Sequence, residues 1–358
     1  MKLTVYGTEY RRAAAGRRAK ALALALLMLF VCALGPSCAA ERPAERELFL
    51  MDTYMKLRAY GGKAEEGLDE ACALMSRLDS LLSVTNENSE IFALNAGSGQ
   101  PTPVSEETFE LLSIAARVSA KLGDSFEITL RPVSKVWGFT DGPMRVPSDE
   151  ELALLLPLVD DDKLTLDPDV GAVTLPAGMQ IDLGALAKGY AADKAADLLK
   201  ESGTEAALLD LGSSTILAFG SKPDGTKWKI AVQDPKNPGV YAGTLEISSG
   251  SVSTSGGYER YFEQDGRVYW HILDPRTGRP ADSGLLSVTV LSGSAAEGDA
   301  LSTAIFVMGV DKALELRRDG GGFEFIAIAA DRIYATPGAG AVFTPMGEYA
   351  EVPLEIVN

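Results

Sequence analysis

The chain is poor in cysteine and almost without histidine, and both shortages limit the sites it can build. Three of its 358 residues are cysteine and one is histidine. Cys32 and Cys38 lie within the first forty residues, which leaves Cys72 alone in the remainder. A disulfide framework and a cysteine-based metal site are therefore excluded. If the chain uses an imidazole in catalysis, that imidazole belongs to His271.

Basic residues are scarce as well. The first 38 residues carry six basic side chains and one acidic one, so the remainder has 27 basic and 49 acidic residues. This balance argues against binding to nucleic acid or to an anionic membrane surface. A phosphate ligand would need help, most simply from a divalent cation. The chain also lacks a P-loop and a G-x-G-x-x-G segment after a strand, which makes a Rossmann or Walker nucleotide site improbable.

Long apolar runs are absent except near the N-terminus. A basic lead is followed by fifteen mostly apolar residues, 21–35, about the length of a signal segment and short for a membrane span. Cys38 follows small residues and is a candidate lipid-bearing first residue of the mature chain; plain secretion and a retained anchor stay open. We predict a lipoprotein signal over residues 1–38, a charged tether over 39–48 and one large domain over 49–358.

Helical and strand-like patterns come in clusters. Apolar periodicity and capping signals predict helices over residues 65–82 and 105–123, and a third from the capping box of Ser148 and Glu151 to just before Pro157. Strand-like runs between glycine, aspartate or proline turns cover residues 163–167, 172–176, 180–184, 206–212, 214–220, 227–234, 243–249, 287–293 and 323–330. Because these elements do not alternate as βαβα, the pattern favours an α+β fold with mainly antiparallel sheets and packed helices.

Three segments contain residues that could bind a ligand or a metal ion. In "QIDLGALAKGY", a strand ending at Asp182 leads through a glycine turn to a helix, where Lys188 could meet a phosphate. A capped helix with a solvated lysine is the plainer interpretation. "LDLGSST", residues 209–215, is either a plain turn or a close approach of backbone to a ligand. Asp299 and Thr303 are four residues apart on a predicted helix and share a face, which suits Mg²⁺ or simply an acidic helix start.

The single histidine follows a predicted hairpin. Residues 251–257 read as a small-residue loop, and a strand, a turn at Asp265–Gly266 and a second strand then lead to His271. An imidazole with a pKa near 6.5 suits a general base. Asp274, in the turn that follows, is placed to orient it or to share its proton.

Six segments together give the chain a family resemblance. They are "MDTYM", "NSEIFALN", "FEITLRPVSKVWGF", "IDLGALAKGYAAD", "TSGGYERYF" with "HILDPRTGRP", and "EGDALSTAIFVMG". In this order, from about residue 51 to 309, they resemble the ApbE family, the FAD:protein FMN transferases. The resemblance implies an ApbE/T-fold-like domain that moves FMN from FAD to a serine or threonine of another protein, with Mg²⁺, and releases AMP.

By matching position, the resemblance also implies roles for residues. Asp299, the Thr303 side chain and the Ala185 carbonyl would hold Mg²⁺. His271 would activate the acceptor hydroxyl, with Asp274 supporting the site. The residues implied to contact FAD are Met51, Ser125, Phe126, Glu127, Asp182, Lys188 and Ile272.

The chain departs from the family pattern at three positions. Glu127 stands where aspartate is usual, Thr85 where tyrosine is frequent, and Ser213 where a second glycine is frequent. None of these three positions is His271, Asp299 or Thr303. The departures therefore bear on the details of ligand binding more than on activity. Two other functions use the same residues: hydrolysis of FAD to FMN and AMP, and FAD binding without turnover.

The acceptor is expected to be a separate protein. Family targets carry an S/T-G-A-S/T signature, and this chain offers only near misses such as residues 292–295. We expect an exported acceptor, such as an electron-transport subunit, and an enzyme that acts outside the cytoplasm, held to the membrane through lipidated Cys38.

Overall fold

A nine-stranded sheet organises the part of the chain that the computed structural model describes, residues 42–237 and 239–358. The predicted signal segment and Cys38 lie outside these residues. Within them, no helix is both long enough and apolar enough to span a membrane.

The elements are numbered in chain order. The helices are α1 (Ala64–Leu82), α2 (Glu90–Ala96), α3 (Glu106–Leu122), α4 (Arg131–Trp137), α5 (Asp149–Leu155), α6 (Ala187–Glu201), α7 (Ala295–Met308), α8 (Val310–Arg318) and α9 (Pro337–Gly340). The strands are β1 (Ala44–Leu50), β2 (Thr53–Tyr60), β3 (Pro101–Pro103), β4 (Thr165–Asp167), β5 (Ala172–Thr174), β6 (Ala206–Leu211), β7 (Thr215–Phe219), β8 (Trp228–Gln233), β9 (Tyr241–Ile247), β10 (Gly250–Gly256), β11 (Tyr261–Gln264), β12 (Arg267–Trp270), β13 (Leu273–Asp274), β14 (Arg279–Pro280), β15 (Leu285–Ser292), β16 (Glu324–Ala329), β17 (Ile333–Ala335), β18 (Phe343–Pro345) and β19 (Leu354–Ile356).

The large sheet has the strand order β1-β2-β6-β7-β10-β15-β16-β17-β19. All neighbouring strands in it are antiparallel except β17 and β19. The predicted α+β fold with mainly antiparallel sheets is confirmed. A three-stranded sheet, β18-β9-β8, is one of the smaller units beside it.

Both faces of the large sheet are covered, and strand β16 shows the consequence for sequence. Along β16, Phe325 and Ala327 belong to the core that includes the helices, whereas Ile326 and Ile328 pack with buried residues of β8 and β9. Successive side chains of a strand point to opposite faces, and a strand buried on both faces needs apolar residues at every position. This explains the unbroken apolar run at residues 325–330.

Helices α6 and α7 cross at backbone-to-backbone distance. A Cβ built on Gly189 of α6 would lie 2.2 Å from the carbonyl oxygen of Ala295, at the start of α7. Asp193, one turn further along α6, accepts hydrogen bonds from Ala295 N (2.8 Å) and Ala296 N (3.0 Å). The contact fixes the register of two helices that carry predicted site residues.

An aromatic cluster holds the hairpin that leads to His271. Strands β11 and β12 pair around the turn at Asp265–Gly266, as predicted. Phe262 and Tyr269 of the hairpin stack with ring centroids 5.3 Å apart and pack beside Trp137. The Trp137 indole also donates a 2.7 Å hydrogen bond to the Gly278 carbonyl, which fastens the turn after the histidine to α4.

Most predicted elements are present, and three local expectations are wrong. Helices α1, α3 and α5 match the predictions, including the Ser148–Glu151 capping box. Residues 180–184 form an irregular segment and a turn, because they are held by isolated hydrogen bonds and not by a ladder. Residues 251–256, expected as a loop, lie in the central strand β10. Residues 44–48, predicted as part of the charged tether over 39–48, belong instead to strand β1 and pair with β2.

We predict that Gly189→Ala lowers the free energy of unfolding by about 2–3 kcal/mol, because the new methyl group meets a carbonyl that cannot move independently of α7. Gly62→Ala is the matched control: a Cβ there meets nothing within 4 Å, and we expect a change within about 0.5 kcal/mol. Urea denaturation of the two variants makes the comparison. Equal stabilities would show that the helices can separate at no cost.

Candidate active site

One cleft, with a cavity volume of about 300 Å³, brings together nearly all the residues predicted to act. It lies among the start of α6, the face of α7 that carries Asp299 and Thr303, the segment 125–127 and the residues that follow β12. The predicted residues that line it are Met51, Ser125, Phe126, Glu127, Asp182, Ala185, Lys188, His271, Ile272, Asp299 and Thr303. Asp274 does not line it.

Asp299 is a buried carboxylate held by neutral donors. Gly189 N donates to Oδ2 at 2.8 Å, and the Thr215 hydroxyl lies 2.9 Å and 3.0 Å from the two carboxylate oxygens. Burial raises the pKa of Asp299 to about 6, although the nearby Lys188 charge acts in the opposite direction. Within residues 42–237 and 239–358 no ion pair neutralises this carboxylate. A bound cation would supply the missing charge.

The groups beside Asp299 offer oxygen ligands. Thr303 lies one turn further along α7, and its hydroxyl is 3.1 Å from that of Ser255. Ala185 lies in the turn before α6 and lines the same cleft. A carboxylate, a hydroxyl and a carbonyl fit Mg²⁺, which is often bound by one or two carboxylates together with substrate phosphates. The described residues contain no group of three or more acidic, histidine or cysteine metal ligands, so one carboxylate must suffice here.

The start of α6 presents a positive charge. Lys188 is the second residue of the helix and faces the cleft. Before the helix, the Asp182 carboxylate accepts a 2.9 Å hydrogen bond from Gly184 N, while Asp182 N donates to the Ile128 carbonyl at 2.8 Å. The turn is therefore anchored at both its backbone and its side chain, which fixes the entry of α6.

Asn95, the last residue of the segment "NSEIFALN", supports this turn, although the sequence assigned it no role. Its buried amide donates to the Ile181 carbonyl at 2.9 Å and accepts from Ile181 N at 2.7 Å. This pairing replaces the strand partner that residues 180–184 lack. The partners are 86 residues apart, so the sequence gives no local sign of the contact.

His271 follows β12 directly and is held by Arg260. His271 N donates to the Arg260 carbonyl at 3.0 Å, and Nδ1 lies 3.3 Å from the same oxygen. A carbonyl only accepts, so this contact places the ring proton on Nδ1 and leaves the Nε2 lone pair available. Burial, with the Arg260 charge, lowers the pKa of His271 to about 4. The imidazole is therefore neutral at pH 7.

Asp274 does not orient the histidine, contrary to expectation. Its carboxylate accepts from Arg276 N (3.0 Å), Nε (2.9 Å) and a terminal nitrogen (2.6 Å). Aspartate in a turn readily accepts from the backbone N–H two residues later, and this local geometry captures the side chain. The partner of the histidine ring is the Arg260 carbonyl.

The Glu127 carboxylate accepts hydrogen bonds from nearby groups of the same chain. One oxygen accepts from Thr129 N (2.9 Å) and the Thr129 hydroxyl (2.7 Å), and the other accepts from Asp161 N (3.0 Å). Next to it, burial and the Glu127 charge raise the pKa of Asp161 above its usual range. The longer side chain at this departure from the family pattern thus secures the segment that contains Asp161, a contact that the sequence did not reveal.

Two tight turns with positive φ lie near the cleft. Met51 and Asp52, between β1 and β2, have φ of 50° and 59°, and Ser213, between β6 and β7, has φ of 65°. Such angles favour glycine, which gives a physical reason for the glycine frequent at the position of Ser213. A 2.8 Å hydrogen bond from Ser213 N to Asp210 holds this turn.

Comparison with known proteins identifies relatives of this chain. The ApbE family model matches residues 51–327. The chain is 37% identical over 262 residues to the FAD:protein FMN transferase of Klebsiella pneumoniae (strain 342), covering 70% of this chain and 81% of that one. It is 33% identical over 340 residues to that of Treponema pallidum (strain Nichols), covering 88% and 93%.

Solved structures agree as well. The ApbE protein of Thermotoga maritima superposes with a TM-score of 0.78 at 30% identity, over 84% of this chain and 99% of that one. The flavinyl transferase ApbE of Pseudomonas stutzeri, in its apo form, gives a TM-score of 0.72 at 30% identity, over 87% and 97%. By the span of the family match and the extent of these similarities, the chain belongs to the ApbE family.

Proposed function

We propose that this chain transfers FMN from FAD to a serine or threonine hydroxyl of another protein, with Mg²⁺, and releases AMP. The observation that carries the proposal is one cleft that holds a neutral imidazole, a lysine at a helix start and a buried carboxylate with oxygen neighbours. The names of the FAD:protein FMN transferases to which the chain is similar support the same reaction.

The reaction is a substitution at phosphorus. The acceptor oxygen bonds to the phosphorus of the FMN half of FAD, and the bond from that phosphorus to the bridging oxygen breaks, so that AMP leaves with the bridging oxygen. His271 Nε2 takes the hydroxyl proton, because Nδ1 is already turned towards the Arg260 carbonyl. Such reactions need positioning and charge neutralisation more than covalent catalysis.

Mg²⁺, when bound, would neutralise charge on the pyrophosphate oxygens. Asp299, the Thr303 hydroxyl and the Ala185 carbonyl are the residues proposed to hold it. Lys188 adds a second positive charge from the N-terminal end of α6, where backbone N–H groups also favour phosphate. Asp182, which lies in the turn just before this helix, is proposed to contact FAD.

The acceptor and the location extend the proposal. We propose that the enzyme lies outside the cytoplasm and is anchored through a lipid on Cys38. We propose further that its acceptor is an exported protein with an S/T-G-A-S/T signature, such as an electron-transport subunit. The basic lead, the apolar run and the small residues around Cys38 support the location.

The protonation state of the proposed base can be measured directly. Because His271 is the only histidine, the untagged protein gives a single imidazole signal in a ¹H–¹⁵N NMR titration. We predict a midpoint of about pH 4 in the ligand-free protein, well below the value near 6.5 of an exposed imidazole, because the cleft disfavours the charged ring. A midpoint at or above 6.5 would contradict the described environment of the ring.

Removal of the imidazole should separate binding from transfer. In His271→Ala we expect FAD affinity within about threefold of the unmodified protein, while FMN transfer falls by about 10²–10⁴, the usual contribution of a general base. Flavin fluorescence quenching measures binding, and the intact mass of the acceptor measures transfer. As an internal control, added imidazole should restore part of the rate. Undiminished transfer would remove His271 from the reaction.

A further inference from the structure

The segment 209–215 remains without a role in the proposed reaction, although it reaches the cleft. Strand β6 ends at Leu211, and the chain turns through Gly212 and Ser213 into β7. Thr215, the first residue of β7, is 1% exposed and lines the cleft beside Asp299. Its partner in β10 is Ser253, so the sheet fixes its backbone position.

The Thr215 side chain has one evident partner in this position. Its hydroxyl oxygen is 2.9 Å from Oδ1 and 3.0 Å from Oδ2 of Asp299, so its single proton is shared between the two oxygens. Gly189 N donates to Oδ2 from another side. The carboxylate is thus held by donors from β7 and α6, and the Ser253 hydroxyl of β10 also interacts with it.

We propose that Thr215 is a positioning residue for the metal-binding carboxylate: its hydroxyl fixes the plane of Asp299 so that the remaining lone pairs face the cleft. This inference rests on the proposed function, because it takes Asp299 as a ligand of Mg²⁺. A hydroxyl that donates to a ligating carboxylate leaves the ligand charged and restricts its rotation, and loss of such a partner typically weakens metal affinity 10- to 100-fold.

Thr215→Val tests the inference, because valine keeps the shape and loses the donor. Mn²⁺ serves as the probe metal, and electron paramagnetic resonance counts the free ion while purified protein is titrated in the presence of FAD and without an acceptor. Thr215→Ala removes the same donor if valine disturbs folding, and Thr215→Ser restores it. The matched control is Thr289→Val, since Thr289 is also 1% exposed but bonds the Thr254 hydroxyl.

We expect Thr215→Val and Thr215→Ala to weaken Mn²⁺ binding about tenfold or more, with Thr215→Ser and Thr289→Val within about threefold of the unmodified protein. Unfolding midpoints in EDTA identify any general loss of stability. Equal Mn²⁺ affinity in Thr215→Val, or no recovery in Thr215→Ser, would overturn the positioning role. If the unmodified protein binds Mn²⁺ no better than Asp299→Asn, the proposed metal site itself fails, and the inference fails with it.

Discussion

The contact between α6 and α7 is the constraint on which the site depends. Gly189 has no side chain, so the two helices approach until the backbone of one touches the backbone of the other. The same residue then turns its N–H towards Asp299, and Asp193 binds the first N–H groups of α7. A bulkier residue at 189 would separate the lysine at the start of α6 from the carboxylate on α7, although each helix could still form.

The proposed transfer depends on a few groups of the cleft. They are one buried carboxylate, one lysine and one imidazole kept neutral by burial and by Arg260, and the Glu127 and Asp182 carboxylates line the same cleft. A neutral base accepts a proton without first losing one, and a buried carboxylate with only neutral donors is a strong site for a cation that arrives with its phosphate ligand.

Local patterns predicted much of this arrangement, and distant contacts could not be predicted. The spacing of Asp299 and Thr303 placed both on one face of a helix, and the Asp265–Gly266 turn delivered His271 as expected. Thr215 and Asp299 are 84 residues apart in the chain, and they become neighbours only in the folded structure. The sequence allowed Asp274 to bond either His271 or a group in its own turn. In the structure it bonds Arg276, two residues later, and not the histidine.

The central claim is that this cleft moves FMN onto another protein. The measurement that tests it most directly is the intact mass of an acceptor domain bearing the S/T-G-A-S/T signature, after incubation with the purified protein, FAD and Mg²⁺, with a chelator as control. We predict a Mg²⁺-dependent gain of one FMN on the acceptor, with release of AMP. Free FMN and AMP without a gain in acceptor mass would contradict it and show that water takes the place of the acceptor hydroxyl.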